Sequence, residues 1–432
     1  MRNLDSTTLL LAALALLLGL SRAAGRLAAR FGQPAVLAEI AVGVALGPTL
    51  LGRLLPSVHR SLFGQDVRTV FGGLAQLAVA LYAFEIGRHL AAGPGGRDGR
   101  AGRPTGRAAL VLAAVSLLAP ALAGLALAVP LHRHHLAGAG VGLPGFALYL
   151  ACAMGVTAVP VLARILQDRG LEGTYVGRLS LVAASIGDAA CWCLLGVALW
   201  LAGRMGWVQL LAALLGAAAA ALLARRRPAG RSAVRSAGRE IGVVATVGAI
   251  CLAAALSSGL GLHPLFGGLM LGLAWPDRRR PAVAAARPQG PAAVIGQLAA
   301  VLLPCFFLGA GQQVDLGADL TDGSFLLLVA LLLVVATVSK FAVCALLGRR
   351  QGLGRTAALR LGVLMNTRGL TEIVVLTTGY QAGLIGHRLF EALLVVALLA
   401  TAAAGPALSL LQRAGAADGP EPVRPAQPAS FS

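Results

Sequence analysis

Long apolar runs, broken by short arginine-rich or glycine- and proline-rich segments, make up almost the whole chain. A helix needs about 20 mostly apolar residues to cross the hydrocarbon core of a bilayer. That window predicts thirteen spans, over residues 7–24, 34–52, 70–90, 108–131, 145–167, 178–203, 206–225, 239–259, 261–276, 292–314, 324–348, 356–380 and 389–412. The fold class expected is an all-α polytopic membrane protein. The first apolar run, Leu9 to Leu20, has the length of a signal-peptide core, but Arg22, Arg26 and Arg30 follow it directly and resist translocation, so it reads as a retained helix.

Composition sharpens this reading. Of 432 residues, 57% are hydrophobic and only 12% are charged, against roughly 25% charged in soluble domains. Mean hydropathy is +0.80, which argues against a water-soluble enzyme. The net charge of +19 would suggest nucleic acid, but the arginines sort by loop: 27 lie at one set of alternate span ends and 7 at the other. By the positive-inside rule the N-terminus is outside and the C-terminus cytoplasmic, in a multi-pass inner membrane protein. No nucleic-acid partner is expected. Asp315, Asp319 and Asp322 fall on the outer side. The six cysteines lie in apolar runs with no histidine and no second close thiol pair around them, and read as small buried hydrophobes rather than a disulfide framework or zinc site. His132, His134 and His135 read as a solvated outer loop.

Secondary transporters are often built from inverted repeats with Gly/Pro-interrupted helices at matching places. A repeat is visible seven spans apart. Gly43-Val-Ala-Leu-Gly47-Pro48 in span 2 matches Gly268-Leu-Met-Leu-Gly272 with Pro276 after span 9, and Gln76-Leu-Ala in span 3 matches Gln297-Leu-Ala in span 10. The odd offset would invert the second copy. Spans 5 and 12, also seven apart, are the most irregular. Pro160 lacks an amide hydrogen and crowds the carbonyl four residues before it, opening span 5 near Thr157. Span 12 holds Met365-Asn366-Thr367-Arg368-Gly369, weak helix formers around a cation. Broken helices are tolerated in lipid where they are buried or line a cavity, so these two predict a midplane ion site.

Few ionisable residues fall well inside spans: Glu39, Glu85, Asp188, Lys340, Arg368 and Glu372. Each costs about 2.5–3.5 kcal/mol at a helix centre, which marks a pathway or a pair. Asp188 has no basic neighbour on its own span, and Lys340 is the only lysine among 36 basic residues. A buried ammonium can lose its proton; a guanidinium cannot. The expectation is that Asp188 and Lys340 neutralise each other, and that an incoming cation takes the carboxylate while the lysine releases a proton. Arg368 and Glu372, four apart, are expected to pair structurally, as is Glu85 with Arg88. Glu39 reads as a supporting acid.

The motifs Gln33-Pro-Ala-Val-Leu-Ala-Glu39, Thr157-Ala-Val-Pro160-Val-Leu-Ala-Arg164, Asp188, Gly261-Leu-His263-Pro-Leu-Phe-Gly267 and Met365-Asn-Thr-Arg368-Gly-Leu-Thr-Glu372 occur in one order along the chain. Together they resemble the cation:proton antiporter-2 family of Kef- and Nap-type sodium/proton and potassium/proton exchangers, over residues 7–412. The resemblance implies a thirteen-helix inverted-repeat antiporter fold with two crossed broken helices, spans 5 and 12, and a homodimer. It further implies a scaffold (spans 1–3 and 8–10), a core that moves in an elevator exchange (spans 4–6 and 11–13), and span 7 as linker. Asp188 would bind Na⁺ or K⁺ and Lys340 would couple protons, with Thr157, Asn366 and Thr367 beside them. Ser185 and Pro160 would support the site, and no cofactor is implied. Family members carry a polar or acidic residue before the aspartate where this chain has Gly187, which favours one-for-one electroneutral exchange. No Gly-x-Gly-x-x-Gly follows a strand pattern, so no nucleotide-sensing domain is expected, and residues 413–432 read as a Pro-rich disordered cytoplasmic tail. Two other functions fit the sequence: proton-coupled export of a small charged metabolite, which a large cavity beside Asp188 would favour, and a non-transporting membrane sensor.

Overall fold

The computed structural model describes residues 5–92, 106–225, 242–260, 263–275, 291–319 and 321–417. The tail from residue 418, and the arginine-rich stretches 226–241 and 276–290, lie outside the described residues. The chain is all-helical, with a single isolated bridge between Ala137 and Ile385 among the described residues. In chain order the helices are α1 (Ser6–Arg30), α2 (Ala35–Ala45) continued by a π-helical turn (Pro48–Gly52), α3 (Pro56–Leu62), α4 (Gln65–Ala92), α5 (Gly106–Arg133), α6 (Leu143–Gly155), α7 (Val159–Asp168), α8 (Tyr175–Leu201), α9 (Trp207–Arg225), α10 (Val243–Gly259), α11 (Pro264–Ala274), α12 (Pro291–Gly311), α13 (Leu316–Asp319), α14 (Gly323–Arg350), α15 (Arg355–Met365), α16 (Leu370–Gln381) and α17 (His387–Ala417). Every predicted span falls on helix. Among the described residues, 8 continuous helices are long and apolar enough to cross a membrane. The short α3 and α13 stand in segments read from sequence as plain loops.

With no hydrophobic drive between helices in lipid, close association depends on small residues that let backbones touch. Two helix pairs do this in the same way. A Cβ on Gly43 of α2 would stand 2.3 Å from the Phe307 carbonyl oxygen of α12, and one on Gly268 of α11 would stand 2.3 Å from the Ala80 carbonyl oxygen of α4. Span 2 on span 10 and span 9 on span 3 are the two equivalent pairings that a seven-span offset requires. Gly43→Ala is therefore expected to force α2 and α12 apart at a cost of about 1–3 kcal/mol, whereas Gly73→Ala on α4, where a Cβ meets nothing within 4 Å, should not destabilise. Thermal unfolding in detergent checks the contrast.

Side chains also fix the helix ends. Asp322 caps α14, its carboxylate accepting from the Ser324 amide at 2.9 Å and hydroxyl at 2.8 Å and pairing with Arg388. The Ser324 hydrogen bonds, with Arg388 behind them, hold the Asp322 carboxyl below its ordinary range.

Candidate functional site

The site grows from the failure of two helices to continue. In α6 the next turn would need an amide hydrogen from residue 160 to reach the Val156 carbonyl, and Pro160 has none. The helix stops at Gly155, the chain runs extended through Val156 to Ala158, and α7 restarts with Pro160 in its first turn. In the other span α15 stops at Met365, Asn366 closes its end, and Gly369 turns at φ 152° before α16 begins. The two breaks satisfy each other's backbone. The Ala158 amide donates to the Thr367 carbonyl at 3.1 Å, and the Thr157 hydroxyl donates to the Met365 carbonyl at 3.1 Å. The Thr367 hydroxyl donates to the Leu364 carbonyl at 2.8 Å.

The C-terminal end of α6 carries freed carbonyls and a partial negative charge, and two cations from other spans meet it. Lys340 Nζ, fully buried, donates to the Gly155 and Val156 carbonyls at 2.6 Å each. Arg368 donates to the Met154 carbonyl at 3.0 Å and ion-pairs with Glu372 in the first turn of α16, as the four-residue spacing predicts. Both members of this pair are fully buried. Thr401 of α17 clamps the Arg368 backbone, accepting from its amide at 3.1 Å and donating to its carbonyl at 2.6 Å.

Asp188 lies on α8, 1% exposed. No direct pair with Lys340 is formed: the ammonium is spent on the two carbonyls left at the end of α6, and the two charges interact only through space. Asp188 Oδ2 and Asn366 Oδ1 are buried without a hydrogen-bond partner. Buried polar atoms are nearly always satisfied, so orphaned oxygens mark a place for a ligand. The Ser185 hydroxyl donates to the Leu181 carbonyl on its own helix at 2.8 Å. A Cβ on Gly187 would meet nothing within 4 Å. Glu85 pairs with Arg88 at 3.0 Å as expected, and Glu39 is half-buried on α2 with no ion pair among the described residues.

Three groups were not legible as site residues in the sequence. The Tyr82 hydroxyl of α4 is buried, has no partner, and lies within electrostatic range of Asp188; its being one of only 4 tyrosines was the available signal. Thr401 is a hydroxyl in the apolar middle stretch, residues 392–408, of its span. Cys152 and Cys191 meet across α6 and α8 with their sulfurs 2.9 Å apart, correcting the reading of six unrelated hydrophobes, and Cys251 is exposed. His132 is occupied with the Val141 carbonyl at 3.0 Å.

A cavity of about 320 Å³ opens on the arginine-poor side, lined by Gln76, His263, Gln312, Gln313, Thr377 and Gln381 among others. Asp188 is not in its lining. On the arginine-rich side Gln33 donates to the Ala402 carbonyl at 3.0 Å, Arg169 donates to the Gly405 carbonyl at 2.9 Å and the Gly32 carbonyl at 3.3 Å, and another cavity, of about 350 Å³, is lined by Arg107, Tyr175 and Gln351 among others.

This architecture has known counterparts. Residues 12–413 match the family model described as sodium/hydrogen exchanger, transmembrane. The chain is 32% identical to the Na(+)/H(+) antiporter NhaS4 of Synechocystis over 93% of this chain and 97% of that one. It is 28% identical to cation/H(+) antiporter 17 of Arabidopsis thaliana over 89% of this chain, and 28% identical to K(+)/H(+) antiporter 1 of Saccharomyces cerevisiae over 88%, but spans only 46% and 43% of those longer proteins. The solved sodium proton antiporter MjNhaP1 of Methanocaldococcus jannaschii shares the fold with a TM-score of 0.57 at 12% identity, over 95% of this chain and 98% of that one.

Proposed function

Because the chain belongs to the sodium/hydrogen exchanger family of membrane transporters, we propose that it is a secondary cation/proton antiporter which exchanges Na⁺ or K⁺ for protons across a prokaryotic-type inner membrane at Asp188. The carrying observation is a fully buried carboxylate with an orphaned oxygen, beside two broken helices and within reach of a buried lysine whose charge it does not directly neutralise.

The chemistry follows from counting donors. A lysine ammonium has three N–H groups, and two are used on the Gly155 and Val156 carbonyls. A neutral amine keeps two N–H groups, so Lys340 releases its third proton without losing either hydrogen bond. Arg368 and Glu372 already balance each other. Asp188 is thus the charge that offsets Lys340, and a cation bound at Asp188 cancels that offset and drives the lysine proton off. In the reverse half-cycle, protonation restores Lys340 and Asp188 loses the cation. The oxygens we propose as further cation ligands are Asn366 Oδ1, which has no hydrogen-bond partner, and the Thr157 and Thr367 hydroxyls, which keep spare lone pairs.

The glutamine-lined cavity on the arginine-poor side would serve as the vestibule that admits the cation. Alternating access would then carry α5–α8 with α14–α17 past a scaffold of α1, α2, α4 and α10–α12, with α9 as linker. A homodimer belongs to the same reading, and the apolar outer faces of α1 and α10, where Leu11, Leu27 and Leu252 are exposed, would meet lipid or a second copy. Metabolite export is disfavoured because the cavity does not reach Asp188.

The test is proton efflux from acid-loaded proteoliposomes on addition of Na⁺, K⁺ or Li⁺. Cation-dependent alkalinisation of the lumen is expected; none with any cation would remove the reading. Stoichiometry has its own test. A Cβ at position 187 meets nothing within 4 Å, so Gly187→Asp is expected to fold and to make Na⁺-driven exchange respond to a valinomycin-imposed potential, to which the wild type is expected not to respond.

A further inference from the structure

Cys152 stands one turn before the end of α6, and Cys191 one turn beyond Asp188 on α8. Their sulfurs are 2.9 Å apart and buried, and Cys152 Sγ also donates to the Cys191 carbonyl at 3.4 Å. Among the described residues no other cysteine has a thiol neighbour. Two sulfurs so placed need to close by only about 0.9 Å to reach the length of a disulfide bond, about 2.05 Å. We propose that Cys152 and Cys191 form a redox-convertible dithiol whose oxidation by a small uncharged peroxide cross-links α6 to α8 and arrests exchange.

The step balances. One thiol gives up its proton to the departing peroxide oxygen as its sulfur attacks the other oxygen. The O–O bond breaks, the first oxygen leaves as water, and a sulfenic acid remains. The second sulfur then displaces that hydroxyl as a second water and the S–S bond forms. Two sulfurs are oxidised by two electrons, hydrogen peroxide is reduced to two waters, and both thiol hydrogens end in water.

The cross-link falls where the site is held. Cys152 is three and four residues from the Gly155 and Val156 carbonyls that bind Lys340, and Cys191 is three residues from Asp188. Tying the two helices fixes Asp188 relative to the lysine cradle. This consequence rests on the antiport reading above; the cross-link itself does not.

The experiment uses a variant keeping only this pair, with Cys193, Cys251, Cys305 and Cys344 changed to alanine, in proteoliposomes treated with hydrogen peroxide. Intact mass after denaturing alkylation should show two adducts before oxidation and none after, with the loss of two hydrogens. Exchange should fall at least tenfold, and a phosphine reductant should restore both. Should that variant fail to fold, proteolytic mapping of a Cys152–Cys191 linked peptide in the wild type gives the same chemical readout. Two free or separately oxidised thiols after treatment would overturn the proposal, as would a cross-linked protein exchanging at the unoxidised rate. If the reduced protein exchanges normally but never cross-links, the antiport reading stands and the dithiol falls; if it cross-links but exchanges no cation before oxidation, the antiport reading falls and the arrest falls with it.

Discussion

Changing Asp188 to asparagine is expected to bring cation-driven proton flux down to that of empty liposomes while the protein still inserts and unfolds at a near-normal temperature. The two halves of this expectation have different causes. Asparagine has the shape of aspartate, and Asp188 Oδ2 makes no hydrogen bond whose loss would weaken the fold. Transport, however, needs one group that is anionic towards a cation and that alters the protonation of Lys340 when it is filled. An amide does neither. Removing a residue that merely supports a metal ligand costs about 10–100-fold, and here the ligand itself loses its charge, so a loss of that size or greater is expected. Lys340→Arg complements it. The guanidinium keeps a positive charge near the α6 carbonyls but cannot release a proton in the working range, so cation binding should survive and coupled proton release should vanish. Stopped-flow pH-dye flux and a parallel binding measurement separate the two variants.

The second large effect is on stability. Arg368 and Glu372 are 1% and 0% exposed and pair only within the protein. Breaking a buried pair by removing one partner costs about 3–5 kcal/mol, whereas replacing both by apolar groups of similar volume is often close to neutral. Arg368→Met strands the Glu372 carboxylate, and Glu372→Leu strands a guanidinium beside Lys340, so each single change should lower the unfolding midpoint sharply. The double change should recover much of the loss, though not all, because Arg368 also binds the Met154 carbonyl at 3.0 Å. A double-mutant cycle by thermal unfolding in detergent reads the coupling. Additive losses would show that the pair does not act as a unit.

Much of this was legible in the sequence, and the reason is the bilayer. A solvent that penalises every unsatisfied backbone group forces long apolar helices, and it makes the exceptions conspicuous. Pro160, Asn366 and Gly369 stand where the helices break, and Arg368 with Glu372 and Glu85 with Arg88 pair at their sequence spacings. What escaped was which atoms one helix presents to another. Helical periodicity says which residues share a face, not what a neighbouring helix presents to that face. The partner of Lys340 proved to be two backbone carbonyls, groups with no letter in the sequence, left free where α6 ends ahead of Pro160. The Cys152–Cys191 contact and the approach of Tyr82 to Asp188 join residues 39 and 106 apart in the chain, a distance no local pattern encodes.

The central claim is that cation and proton are exchanged because both act on the Asp188–Lys340 couple, and one measurement reads that directly. Purified protein in weakly buffered detergent solution is titrated with Na⁺ and with K⁺ near neutral pH, and proton release is followed together with bound cation. Metal binding at titratable ligands releases protons, and the account predicts about one proton per cation bound, with no release in Asp188→Asn. Cation binding that leaves the proton count unchanged, or equal release in Asp188→Asn, would contradict it.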